Sequence, residues 1–431
     1  MLPLLAVGIC LLGAASVGAQ TVPWQQPPMS AEFQAWASQS GRPAGTAPLP
    51  AVGGVCGDAC EMDAVATAGC NGGACPAIAA PGRCCVPWPF HDPWVRAEAL
   101  LWWTKSAGIP PLLTTSPDNT PQAQAGVLGQ PGTVVLVGDQ ELNGDFRAGG
   151  RIAVGTWLDA CDNVGLEFVY LGLGQSTQRF DRSSTGSPIL ARPFFDVDRG
   201  VENSRLLAYP NVVQGDFSCS ATSSFQAAEA LLRWAIVRCP GYRIELLGGY
   251  RFQRLTDALD IADSSNTAAP GATIQVFDQF HTRNDFHGGE LGIAGAWHRC
   301  RWSLEGTAKL ALGNTHSQID IDGSTTTAAG TFAGGMLALP SNMGRYGADQ
   351  FSVVPEIGAT LGYDLTCRLR MTAGYTFIYW NHVSRPGDQI DPNLSPSQFP
   401  PTTQTATRPA FERRTTDFWA QGINLGLDYR F

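Results

Sequence analysis

Between Trp94 and Phe431, apolar and polar residues alternate with a period of two in one segment after another. At that spacing a strand presents one greasy and one polar face. The closing segment shows it best. Trp419, Ile423, Leu425, Leu427, Tyr429 and Phe431 share one face, and Gly422, Asn424, Gly426, Asp428 and Arg430 share the other. The same beat runs through RLRMTAGYTFIYW (368–380), RWSLEGTAKLAL (301–312) and YRIELLGGYRF (242–252). Applied to the whole chain, it predicts strands near 94–104, 146–157, 163–175, 225–237, 242–256, 286–298, 301–317, 350–363, 368–380 and 418–431. The links after the even-numbered segments are tight, as at Leu158-to-Asp162 and Cys239-Pro240-Gly241. The links after the odd-numbered ones are long and polar, about 25 to 45 residues each, an asymmetry of outer-membrane barrels.

Composition narrows the choice. Charged residues make up 15% of the chain and mean hydropathy is −0.05, values that fit strands with one face toward lipid and one toward a polar lumen. The predicted fold is therefore all-β: a transmembrane antiparallel up-and-down barrel of about ten strands (range 8–12), with long extracellular loops and short periplasmic turns. Aromatics support it. Trp157, Trp234, Trp297, Trp302, Tyr363, Tyr429 and Phe431 cluster toward the short-turn ends, and Trp102, Trp103, Phe252, Tyr379, Trp380, Phe418 and Trp419 toward the long-loop ends. Two such belts are expected at the two lipid–water boundaries. A soluble sandwich also alternates but explains neither belts nor one-sided loops. The net charge of −9, without any Lys/Arg run, argues against a nucleic-acid partner.

Ahead of the barrel, residues 1–19 form an apolar run ending Val17-Gly18-Ala19, which reads as an export signal cleaved before Gln20; it is short for a membrane span. Residues 20–93 are rich in Pro, Ala, Gly and Cys without periodicity, and read as a partly disordered periplasmic segment. The barrel follows from 94 to 431.

Charges inside the predicted strands share the inward phase or lie next to it: Arg96, Glu98, Arg151, Glu167, Glu229, Arg233, Arg243, Glu245, Arg251, Glu290, Glu305, Lys309, Glu356, Arg370 and Arg430. Facing lipid, each would cost a few kcal/mol, so they are expected in the lumen. There they line an ion-selective pore, or pair and fill the interior. Eight-stranded barrels are filled by side chains and wide channels appear near sixteen strands, so ten lies toward the filled limit.

Cys56, Cys60, Cys70, Cys75, Cys84 and Cys85 precede the barrel with spacings unlike a zinc site. In an oxidising compartment they are disulfide candidates. Cys161, Cys239, Cys300 and Cys367 each occupy one of the four short turns. They are expected to bond to the N-terminal cluster or to neighbouring chains, leaving Cys219 unpaired. No catalytic or metal constellation is expected. His91, His281, His287, His298, His316 and His382 are scattered, and Asp320-Ile321-Asp322-Gly323 lacks the downstream Glu of a calcium loop.

Leu100-to-Lys105 (LLWWTK), Pro110-to-Ser116 (PPLLTTS) and Gly126-to-Thr133 (GVLGQPGT) resemble planctomycete outer-membrane β-barrel porins, the seventh β-barrel porin family. Gly149-Gly150-Arg151, Trp157-Leu158, Ala191-to-Phe194 and Tyr429-Arg430-Phe431 extend the resemblance over roughly 84–431. It implies an outer-membrane barrel in a Gram-negative-type envelope and a porin activity, and brings no catalytic or ligand residues. The first long loop, which carries the specific motifs, is expected to fold into the lumen as a plug or constriction. The expected function is passive passage of small solutes or ions, without enzyme activity, cofactor or metal. The alternative is a structural, disulfide-cross-linked envelope barrel with a closed lumen. Expected partners are outer-membrane lipid and homo-oligomeric or cross-linked envelope neighbours.

Overall fold

The alternation is realised as a closed ring. A computed structural model describes residues 91–139, 141–142, 144, 146–159, 162–239, 241–267, 272–401 and 404–431. The export signal, the N-terminal segment through residue 90 with its six cysteines, and Cys161 lie outside the described residues. The wall comprises β1 (His91–Thr104), β2 (Phe146–Trp157), β3 (Val164–Ser184), β4 (Val213–Cys239), β5 (Tyr242–Thr267), β6 (Thr273–Arg299), β7 (Trp302–Thr327), β8 (Gly344–Asp364), β9 (Leu369–Val383) and β10 (Thr416–Arg430). Each pairs antiparallel with its neighbours in sequence, and β1 closes on β10 from Trp94↔Arg430 to Thr104↔Ala420. Closure leaves the wall no free edge at membrane height. Both barrel termini lie on the short-turn rim, where Phe431 N–H donates to Pro93 O (3.0 Å).

At that rim the observed strand ends fall within three residues of the expected ones. The turns are tight. Cys300-Arg301 joins β6 to β7 with Cys300 in the left-handed region (φ 55°), and Gly241 supplies a positive φ of 94° between β4 and β5.

The other ends differ. β3 to β8 continue past the expected limits, by as much as 13 residues where β6 begins at Thr273 rather than at 286. Where a long polar loop is expected between β5 and β6, the hairpin continues, with β5 reaching Thr267 and β6 beginning at Thr273. The cause is a reversal of polarity along unbroken strands. Low on β5, Leu246 and Tyr250 are exposed outward while Glu245 and Arg251 are buried inward. Higher up, Leu255, Leu259 and Ile261 are buried inward, and the alternate positions Thr256, Asp260 and Ser264 face outward. The lower part is dressed for lipid outside, the upper part for water.

The lipid-level exterior is apolar all round. Phe168, Leu232, Trp234, Leu291, Ile293, Leu304, Leu310, Ile357, Leu361, Leu425 and Leu427 are among its exposed side chains. The upper aromatic belt needs correction. Trp103 is exposed, but Trp102, Trp380 and Phe418 are fully buried inside the barrel. In an adjacent pair such as Trp102-Trp103 the period of two forces one ring outward and the other in.

Candidate functional site

The lumen is built in three storeys. The lowest is ionic. Glu305 accepts from Arg96 (2.8 Å) and Arg370 (3.0 Å), and Arg96 also pairs with Asp428 (3.1 Å). Arg233 joins Glu167 and Glu245 (2.6 Å to the latter), Arg243 joins Glu245, and Arg151 joins Glu98. Just above, Arg251 and Lys309 sit among three carboxylates. Arg251 lies 2.9 Å from Glu290, 2.6 Å from Glu356 and 3.4 Å from Glu229. Lys309 lies 2.6 Å from Glu229 and 2.9 Å from Glu356. The Lys309–Glu229 pair joins β7 to β4, and Arg251–Glu356 joins β5 to β8, so they bridge strands that are not neighbours. Glu229, Glu290 and Glu356 approach one another closely enough to hold a cation, but Arg251 and Lys309 already occupy that role.

Of the fifteen charges expected in the lumen, only Arg430 is exposed, at the rim; the others take the ionic positions just described. Sequence reasoning passed over Asp428, although its place on the polar face of the last segment marked it. A cavity of about 490 Å³ runs from rim residues Asp162, Arg368 and Phe431 up to Glu229, Lys309 and Glu356.

The second storey is apolar. Leu100, Trp102, Leu171, Leu173, Phe225, Leu255, Phe286, Ala311, Val354, Ile378, Trp380 and Phe418 form one buried cluster with contributions from nine of the ten strands. Rings meet across the lumen: Phe225 of β4 lies 5.1 Å from Phe418 of β10, and Phe286 of β6 lies 6.2 Å from Trp380 of β9 (centroids). The indole N–H groups are satisfied inside it, Trp102 donating to Asn424 Oδ1 (2.7 Å) and Trp380 to Thr315 Oγ1 (2.9 Å). Gly422 leaves Trp102 its place, since a Cβ there would stand 2.8 Å from Trp102 Cδ1.

The third storey is a lid made by the loops. Residues Leu113–Thr115, Val134–Val137, Leu190–Asp196, Val201–Ala208 and Asn393–Leu394 form a five-stranded sheet. Its apolar side chains, among them Leu112, Leu113, Val137, Leu190, Phe194 and Leu207, pack on Phe217, Leu259, Ile261, Phe280, Ile319 and Ile321 of the tall strands. The expected loop plug is thus present and drawn from several loops. Thr114 Oγ1 donates to Gly126 O (2.7 Å) and Gly126 N–H donates to Ser116 Oγ (2.8 Å). Gly126, Gly129 and Gly132 all have positive φ, between 72° and 81°. The lid is clamped by ions that sequence reasoning missed, because they lie beyond the strand ends it drew. Buried Arg192 bonds Asp263 (2.8 Å) and Asp278 (2.9 Å), and Arg205 bonds Asp263 (2.7 Å). Burial works against the Arg192 guanidinium, yet Asp278 and Asp263 hold its pKa above the usual arginine value. Asp278 Oδ1 also accepts the backbone N–H groups of Met336, Leu337 and Ala338, each at 2.8 Å. Asp278→Ala strands these donors and leaves Arg192 short of a carboxylate, an expected loss of about 3–5 kcal/mol in lid stability. Residues 334–343 should then become protease-sensitive while the heat-modifiable gel shift of the barrel persists.

Residues 94–431 match the family model described as "Putative beta barrel porin-7". The chain belongs to this beta barrel porin-7 family. It is accordingly an outer-membrane barrel, and the match carries the family without the planctomycete source that the resemblance implied. The motifs of that resemblance are now placed. PPLLTTS, GVLGQPGT and Ala191-to-Phe194 meet in the lid, and LLWWTK supplies Leu100 and Trp102 to the apolar storey. No curated protein matches the chain significantly. Similar solved structures include the outer membrane protease OmpT of Escherichia coli (10% identity, 79% of this chain and 98% of that one, TM-score 0.37). A FadL homologue of Pseudomonas aeruginosa (8%, 79% and 90%, TM-score 0.21) and an anion-selective porin of Comamonas acidovorans (9%, 78% and 100%, TM-score 0.18) are also similar. At these values the likenesses carry no weight for activity.

Proposed function

We propose that this porin-family barrel rests with its lumen closed and serves as a structural, non-catalytic element of the outer membrane. The observation that carries the reading is the apolar storey. Trp102, Leu255, Phe286, Trp380 and Phe418 have no solvent exposure, and their contacts span the lumen, so that a hydrated ion finds no continuous polar path. The cysteine-bearing rim belongs to the same reading. Cys239 and Cys367 flank Cys300 in successive described turns, and all three sulfurs are engaged. Cys219 is the free cysteine among the described residues. This supports a barrel stapled at its periplasmic rim. Native protein reconstituted in a planar bilayer should give a flat current trace across ±100 mV (about the scale of a biological membrane potential). Stepwise conductance from the untreated protein would overturn the closed reading.

A second reading is regulated passage of small ions, and the cavity of about 490 Å³ favours it. This vestibule already brings solvent-sized space from the short-turn rim to Lys309, so only the two upper storeys separate it from the outside. On this reading native protein conducts once the lid and the apolar storey beneath it are both displaced.

A further inference from the structure

We propose that Arg385 is a strap that ties the apolar storey to the lid through Asp257, so that the two upper storeys open as one. The inference rests on the second reading of the lumen, regulated passage, and adds the device that opens both barriers.

A polar seam separates the two storeys. On β5 the inward residues climb from Leu255, in the apolar storey, through Asp257 to Leu259, beneath the lid. On β4 Ser223 stands between Phe225 and Ala221, and on β6 Asn284 and Thr282 stand between Phe286 and Phe280. Ser223, Asp257 and Thr282 are partners in register, so the seam runs level across three strands. None of these four polar residues is more than 3% exposed. Along such a seam hydrophobic contact cannot hold one apolar layer to the next. The tie there has to be polar.

The segment after β9 crosses that seam. β9 ends in a register shift between Trp380 and Val383, with His382 in the left-handed region (φ 56°). Val383 belongs to the apolar storey, Ser384 and Arg385 are buried, and Ile390 and Leu394 belong to the core beneath the lid. Ser384 N–H donates to Asn284 Oδ1 (2.8 Å), and Asn284 Nδ2 donates back to Ser384 O (2.9 Å). Arg385 Nε lies 2.8 Å from Asp257 Oδ2, and the Arg385 guanidinium stands 5.9 Å from the centre of the Phe418 ring. Phe418 makes one of the two ring contacts across the lumen, with Phe225. Further on, Asn393-Leu394 pairs in parallel with Phe195-Asp196 of the lid sheet. Lifting the lid strand therefore draws Arg385 off Phe418. While the buried Asp257–Arg385 pair holds, both barriers stay shut, because parting two such charges is costly.

Thiol chemistry reads each barrier separately. Cys219 is free and faces the core beneath the lid, where burial pushes its thiol up to about 12. It is inert to alkylation until the lid opens. Ala420→Cys, placed in a Cys219→Ala background, puts the same probe in the apolar storey, at the inward position of β10 that follows Phe418.

The test is the rate at which a water-soluble maleimide modifies each thiol in full-length protein in outer-membrane vesicles, read by peptide mapping. Asp257→Asn leaves a buried guanidinium unpaired and should speed both probes about tenfold or more, by equal factors. Arg385→Gln should do the same, and the double variant should exceed neither single one. Asp278→Ala loosens the lid without touching Arg385 and should speed Cys219 alone. Asp257→Asn that speeds Cys219 but not the Ala420→Cys probe, or speeds neither, overturns the inference. A second measurement leaves the strap intact. In urea below the unfolding range the two rates should rise with one slope, because one opening exposes both positions. A steeper slope for Ala420→Cys means separate openings and overturns the strap. Equal acceleration in Asp257→Asn with a flat current trace would sink regulated passage and leave the strap standing. Current steps with Cys219 alone accelerated would do the reverse.

Discussion

Deleting residues 108–140 should leave the protein electrically silent, whereas the same deletion combined with Phe225→Ala and Trp380→Ala should give small, discrete current steps. Barriers in series explain the difference. The deletion removes Leu112, Leu113 and Val137 from the lid but leaves untouched the aromatic contacts between Phe225 and Phe418 and between Phe286 and Trp380. A path shut at one level passes nothing, however wide it is elsewhere. Truncating Phe225 and Trp380 takes one ring from each of the two transluminal contacts. The space opened lies directly above the Arg251–Lys309 cluster, which the vestibule already reaches from below at Lys309. The steps should favour cations, because three glutamates face two basic groups there and leave one negative charge in excess. Each aromatic-to-alanine change costs about 3–5 kcal/mol, so the barrel's heat-modifiable gel shift must be shown first. Steps from the lid deletion alone would mean that the apolar storey does not seal, and silence from the combined variant would place the seal in the ionic storey or in the lid strands Leu190–Asp196 and Val201–Ala208 that the deletion leaves.

The sequence made the wall legible and the interior only in part. At lipid height the period of two is enforced from both sides, by acyl chains outside and by ionic neighbours within, so Leu304, Glu305, Leu310 and Lys309 announce their faces without a structure. The tall ends of β4 to β7 obey the same period with the polarity exchanged. Phe217, Cys219 and Ala221 turn inward where Glu229 and Arg233 do lower down, and a pattern read for one polarity stops at the exchange. That lost the strand extensions, and with them Asp263 and Asp278. The lid was beyond any periodicity argument. Its partners lie far apart in the chain, as Thr114 does from Ala191, and its strands are as short as two residues. Only the motif glycines, which supply the positive φ that its turns require, hinted that residues 126–132 had a fixed shape.

Arg251→Met should destabilise the barrel by about 3–5 kcal/mol, the range for breaking a buried ion pair by removing one member. The guanidinium has no solvent exposure and meets Glu229, Glu290 and Glu356 within 3.4 Å. Without it the three carboxylates share Lys309 alone, and two buried negative charges are left in excess where there was one. Methionine nearly keeps the length of the side chain, so the loss reports charge rather than volume. The second substitution decides the cause. Glu290→Gln in the Arg251→Met background removes one of the surplus charges and should recover at least half of the loss, whereas Glu290→Gln in the wild-type barrel should cost little, since Glu229 and Glu356 still balance Arg251 and Lys309. Urea unfolding midpoints in lipid vesicles, compared around the cycle of single and double variants, give the coupling directly. Equal losses in Arg251→Met with and without Glu290→Gln would show that Arg251 acts as packing, and that the ionic storey is not held by the balance of its charges.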